Sequence, residues 1–99
     1  MNRNAAGLLG LARRAGKCLL GYDSIRKASQ SICLLLCAQD CSERMQKNIL
    51  ALNRYCITLD LTKAELGKLL GAGEVSLVAV IDKNFAAGIE SKLSDDGGN

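Results

Sequence analysis

Apolar positions recur along the chain at two spacings. Ala5, Leu8, Leu9, Ala12 and Ala15 fall at helical intervals, and Gly16 follows where a helix would end. The spacing predicts a helix over 3–15, with Arg13 and Arg14 near its C-terminal end, where cations suit the helix dipole. Lys17 to Leu20 predicts a short strand, broken by Gly21. Asp23 or Ser24 is then placed to cap a helix reaching Gln30. Ile32 to Ala38 is a continuous apolar run, as expected of a strand buried on both faces.

Asp40 with Glu43 resembles a capping box, ahead of Met45, Ile49 and Leu52 at helical spacing. Cys56 to Leu59 predicts another short strand. Thr62-Lys63-Ala64-Glu65 is a full capping box, flanked by Leu61 and Leu66 as a hydrophobic staple and stopped by Gly71. Val75 to Ile81 is β-branched and apolar, hence a central strand. Asp82 or Asn84 caps a last helix through Ser91. The polar end of the chain reads as a frayed tail, so one domain is expected over 1–91 with a flexible tail over 92–99. Strands alternating with helices argue for an α/β fold with helices on both faces of a sheet.

Composition removes whole classes of chemistry. The 99 residues are 48% hydrophobic, enough for one small core, but include no His, Trp or Pro. Without His there is no Ser-His-Asp or Cys-His catalysis and no His-containing zinc site. Phe85, Tyr22 and Tyr55 are the only aromatics, too few for the stacking platform of a single-strand binder. The longest uncharged run, Ala28 to Gln39, is far short of a membrane span. No apolar leader follows Arg3, so a cytoplasmic protein without membrane contact is expected.

Charge is uneven along the chain. Residues 1–30 hold six basic residues (Arg3, Arg13, Arg14, Lys17, Arg26, Lys27) against Asp23, while the rest of the chain has a slight acidic excess. A net charge of only +3 therefore conceals a basic face suited to a polyanion.

Phosphate-loop patterns fail. Gly16-Lys17 lacks a glycine at the required upstream spacing and is followed by Cys18, and Gly67-Lys68 is followed by Leu69. The five cysteines, Cys18, Cys33, Cys37, Cys41 and Cys56, contain no C-x-x-C pair, so neither a zinc ribbon nor a disulfide framework is expected. Cys18, Cys33, Cys37 and Cys56 read as core packing. Cys41, at a helix start, is the one expected to have a lowered pKa and to react. Asp95-Asp96 and Asp40 with Glu43 lack the apolar setting of a catalytic pair, so no enzyme, metal or cofactor is expected.

The stretch from Lys17 to Lys27 carries more. A strand delivers the chain to Gly21, and a helix then opens with polar residues. A helix N-terminus offers free N–H groups to phosphate, Asp23 can accept from the edge of a guanine, and Lys27 one turn on can donate to a base or a phosphate.

At these residues the sequence resembles the kink-turn RNA-binding family of ribosomal proteins L-seven-Ae and L-thirty-e, and within it the bacterial YlxQ-like branch. The landmarks are Gly7-Leu8-Leu9-Gly10-Leu11-Ala12-Arg13-Arg14-Ala15-Gly16-Lys17, Gly21-Tyr22-Asp23, Ala38-Gln39-Asp40-Cys41-Ser42, Glu65-Leu66-Gly67-Lys68 and Val78 through Ala86. The resemblance spans roughly residues 5–90. It implies a three-layer α/β/α sandwich around a small four-stranded mixed sheet, and binding to a sharply bent RNA helix with tandem sheared G·A pairs. The family motif is a glycine, any residue, Asn, Glu, two residues and Lys. Gly21 and Lys27 match it, while Asp23 stands at the Asn position and Ser24 at the Glu position. A second contact is implied for the loop Gly73-Glu74-Val75-Ser76, with Val75 as the apolar group against bulged nucleotides.

The expectation is therefore a non-enzymatic, monomeric, ribosome-associated RNA-binding protein. Its contacts would be Gly21, Asp23, Ser24, Lys27 and Val75, with Arg13, Arg14, Lys17 and Arg26 attracting phosphates. A protein–protein adaptor on the same fold is the alternative.

Overall fold

The computed structural model describes residues 1–97, with side chains through residue 94. Nine regular elements alternate as expected: α1 (Arg3–Arg14), β1 (Cys18–Leu20), α2 (Tyr22–Lys27), β2 (Leu34–Cys37), α3 (Glu43–Ala51), β3 (Ile57–Thr58), α4 (Lys63–Leu70), β4 (Leu77–Val80) and α5 (Lys83–Gly97). A turn of 3-10 helix, Ser29–Ser31, links α2 to β2.

The four strands form one mixed sheet in the order β1-β4-β2-β3. β4 runs antiparallel to both neighbours, with Leu19 and Leu35 each opposite Ala79. β2 and β3 are parallel, pairing Leu36 with Ile57. The pleat sorts side chains by alternation. Cys18, Leu34, Leu36, Val78 and Val80 point to one face, where Leu9 and Ala12 of α1, Leu66 and Leu70 of α4 and Ala86 and Ile89 of α5 cover them. Leu35, Cys37, Leu77 and Ala79 point to the other, against Ile25 of α2 and Ile49 of α3. These are the three layers of an α/β/α sandwich. All eight residues of β2 and β4 are buried, which explains runs without polar alternation.

Local signals hold where they close within a few residues. Thr62 and Glu65 form the reciprocal capping box, and Gly71 ends α4 in the left-handed conformation at φ 68°. Gly16, at φ +74°, follows the C-cap Ala15 of α1. Asp82 caps α5 by accepting from the Phe85 amide at 2.9 Å.

Three caps or ends differ from expectation. α2 begins at Tyr22 with Gly21 at the N-cap position and no side-chain cap, so neither Asp23 nor Ser24 caps it. The reason is packing: Tyr22 and Ile25, three apart, both seat against the α2–α3 core, which draws Tyr22 into the helix. α3 is capped by Ser42, which accepts from the Met45 amide at 3.1 Å. Asp40 reaches instead across to α4 and accepts from the Lys63 amide at 2.8 Å. α5 continues through Gly97, past the expected start of a tail at 92, because Leu93 packs on the core and the Lys92 carbonyl accepts from Asn2 at 2.7 Å. Residues 98–99 of that expected tail lie outside the described residues.

Candidate nucleic-acid interface

β1 lies at an edge of the sheet, and the candidate residues are strung along it. Gly21 stands at the C-terminal end of this strand. Its φ of +85° with ψ of 151° is a conformation that glycine alone adopts without strain. This turn lets the Gly21 amide donate to the Leu77 carbonyl at 3.1 Å before the chain enters α2. That bond fixes the start of α2 beside the 72–76 loop.

The loop itself is held from behind. Gly67 lets it pass so close that an added Cβ would sit 1.5 Å from the Gly73 carbonyl oxygen. The Val75 amide donates to the Lys63 carbonyl at 3.1 Å. The two segments enclose a hollow of about 400 Å³ whose walls include Gly21, Glu74 and Ser76. The loop thus adjoins the helix start, and Val75 borders the hollow while lying mostly in the core. It is only 6% exposed and packs in the α1–α4–α5 core. An alternating strand entry turns Val75 inward, which leaves Glu74 and Ser76 as the loop's reachable polar side chains.

Asp23 and Ser24 are exposed in the first turn of α2. α2 has six residues, too short for aligned peptide dipoles to build an anion site at its N-terminus. Its contribution is positional. Asp23 and Lys27, four apart, share one outward face. Asp23 also borders a second hollow, of about 480 Å³, with Tyr22, Ser42, Arg44, Met45 and Asn48. Sequence reading missed these α3 residues. The landmark ending at Ser42 pointed to the segment, but only the tertiary pairing of α2 with α3 turns Arg44 toward Asp23.

At the other end of β1, Lys17 accepts through its carbonyl from the Ile81 amide and leaves its side chain exposed. Arg14 is exposed beside it at the end of α1. Arg13 is committed elsewhere, its Nε donating to the Leu70 carbonyl at the end of α4, 3.2 Å away. Arg26 and Lys27 occupy the last turn of α2, which brings the chain back toward this end. Among the described residues, Arg14, Lys17, Arg26 and Lys27 make no ion pair or side-chain hydrogen bond.

The cysteines depart from expectation at two positions. Cys33 is exposed, since it precedes β2 and its thiol faces the Ser31 carbonyl at 3.7 Å. Cys41 has its pKa raised, not lowered, first by burial and then by neighbouring Cys37. Burial likewise lifts Cys18, and it pushes Cys56 up to about 12. No activated thiolate results. Among the described residues, no three metal-ligating side chains converge on a metal site.

No helix among the described residues is long and apolar enough to cross a membrane. No family model matches the chain, and no curated protein matches it. Solved structures do match in fold. One, a protein of unknown function from Bacillus halodurans C, superposes with a TM-score of 0.82 at 23% identity, over 94% of this chain and 99% of that one. The two proteins share an α/β fold.

Proposed function

We propose that this chain is a non-enzymatic RNA-binding protein that docks along its β1 edge on a bent RNA helix of the kink-turn type. The single observation that carries the reading is the Gly21 to Leu77 hydrogen bond, which sets the 72–76 loop beside the exposed face of α2. The unpaired cations Arg14, Lys17, Arg26 and Lys27 extend that edge with charge suited to phosphates. Recognition by groove edges, 2′-hydroxyls and shape needs no stacking aromatics, of which this edge has few. Lys27 reads a guanine or a phosphate, Asp23 and Ser24 face base edges or sugar hydroxyls, and Gly21 allows close backbone approach. A cytoplasmic, ribosome-associated monomer follows from this reading.

One observation favours the adaptor alternative. Asp23 and Glu74 bring two carboxylates to the end of β1 that would meet RNA. A basic segment of another protein would suit them better.

Titration against a labelled kink-turn stem at two salt concentrations separates these readings. The control stem has its sheared G·A pairs converted to Watson–Crick pairs. The proposal expects tight binding to the first stem alone, weakening steeply with salt. Equal binding to both reduces the edge to a nonspecific basic surface. Binding to neither removes the kink-turn reading and leaves the adaptor or a different RNA fold.

A further inference from the structure

A hollow lies away from the β1 edge, between α3 and β3. It measures about 700 Å³, and Cys37, Cys41 and Cys56 line it together with Ile49, Leu50 and Tyr55. Three segments of chain bring the thiols there. Cys37 ends β2 and pairs with Thr58, whose hydroxyl oxygen lies 3.5 Å from its sulfur. Cys56 stands two residues before Thr58, so the pleat turns it to the same face. The turn at 39–40 then brings Cys41 back over the end of β2. Cys37 belongs to the α2–α3 core, and Cys41 and Cys56 pack against it from the open side.

We propose that Cys37 and Cys41 form a reversible oxidation site, at which a hydroperoxide entering this hollow closes a disulfide between them. With hydrogen peroxide the electrons balance as follows. The Cys41 sulfur attacks one peroxide oxygen, an S–O bond forms as the O–O bond breaks, and the products are Cys41 sulfenic acid and water. The Cys37 sulfur then attacks the Cys41 sulfur. The S–S bond forms, the S–O bond breaks, and the hydroxyl leaves with the Cys37 proton as a second water. Two thiols have together lost two electrons, and one peroxide has become two waters. A thiol reductant reverses the result by exchange.

Register selects the pair. Cys41 and Cys56 both reach the Cys37 thiol, but Cys56 directly precedes β3, whose parallel pairing with β2 holds its backbone in place. Cys41 lies outside the sheet and is bound by no ladder, so its backbone is free to move toward Cys37. Cys33 faces solvent without a thiol neighbour and serves as an internal control. Burial holds the Cys41 thiol protonated, so the test uses excess peroxide and long exposure.

The native chain is incubated with hydrogen peroxide, remaining thiols are blocked with N-ethylmaleimide, and unreduced peptides are mapped by mass spectrometry. Cleavage before Asp40 separates Cys37 from Cys41, so a link between them joins two peptides. A Cys33→Ser background removes ambiguity on the Cys37 peptide. The expected result there is loss of two of the four remaining thiols, a Cys37–Cys41 link, and full recovery with dithiothreitol. Cys56→Ser should keep the link and Cys41→Ser should abolish it. Cys41 is half-buried outside any helix or strand, so that variant should retain the native circular dichroism. A Cys37–Cys56 or Cys41–Cys56 link, or four thiols still free after long exposure, overturns the proposal.

Discussion

The two ends of β1 are about 13 Å apart, and they present opposite kinds of surface. At the Lys17 end the surface is charge without shape. Arg14 and Lys17 stand exposed and unpaired, and the nearby carboxylate of Asp82 is occupied by the Phe85 amide. At the Gly21 end the surface is shape with mixed charge. A glycine at positive φ, a loop pressed against α4 and two hollows meet there, one bordered by Glu74 and the other by Asp23 and Arg44. The difference teaches that attraction and fit are separable in this molecule. Cations on flexible side chains raise local anion concentration without reading anything, whereas backbone held by glycine contacts accepts only what matches its form.

The largest expected effect falls on the shaped end. Gly67→Ala drives a methyl group into the Gly73 carbonyl, so it must displace the 72–76 loop or bend α4. A loss of roughly 3–5 kcal/mol in urea unfolding is expected, because neither partner is a flexible side chain. Native stability in this variant would show that the loop is not clamped there, and the contrast between the ends would fail.

Gly21→Ala comes next. The space around Gly21 is open, so the cost is backbone strain alone, about 2 kcal/mol. Urea unfolding measures it, and a neutral result would mean that the turn relaxes without harm. Lys27→Ala tests charge instead. It should leave unfolding unchanged and weaken binding to a kink-turn stem by roughly 1–3 kcal/mol if Lys27 reads a base. Lys17→Ala should flatten the salt dependence by about one phosphate while sparing discrimination between stems. If Lys17 proves the more discriminating of the two, the assignment of fit and attraction is reversed.

Thr62→Ala removes one half of the capping box and with it about 1 kcal/mol, read as a lower unfolding midpoint. A pH effect needs no substitution. The Cys56 thiol, raised from 9.0 to about 12, binds its proton more tightly in the folded chain than in the unfolded one. Its contribution to stability is therefore complete below pH 9 and is lost as pH climbs toward 12. Urea midpoints across that range should fall more steeply for the native chain than for Cys56→Ala.

What could be read from the sequence was what closes over short distances. The Thr62–Glu65 box, the Gly71 stop, the buried runs of β2 and β4 and the alternation of elements all depend on neighbours in the chain. The errors lie where a distant segment decides. Asp40 looked like a cap for α3 because its partner on α4 lies 23 residues away. The burial of Val75 was not legible because nothing in its own segment shows that α4 lies beneath it. Cys33 looked buried because it opens an apolar run, yet it falls one residue short of the strand. Gly21, Asp23, Ser24 and Lys27 could be grouped from the sequence because all four sit on one short turn and helix. Arg44 could not be grouped with them because it borders the Asp23 hollow from another element.

The sheet's outer strands have a further consequence. Both are stubs, three residues in β1 and two in β3, flanking four-residue inner strands whose backbone groups face partners on both sides. A foreign strand laid along either margin would find almost no unsatisfied ladder to join. The apolar β2 and β4 segments, which as free peptides carry the marks of fibre-forming sequence, are thereby sealed at the centre. Resistance to edge-to-edge polymerisation comes from strand length, with neither proline nor a bulge needed to enforce it.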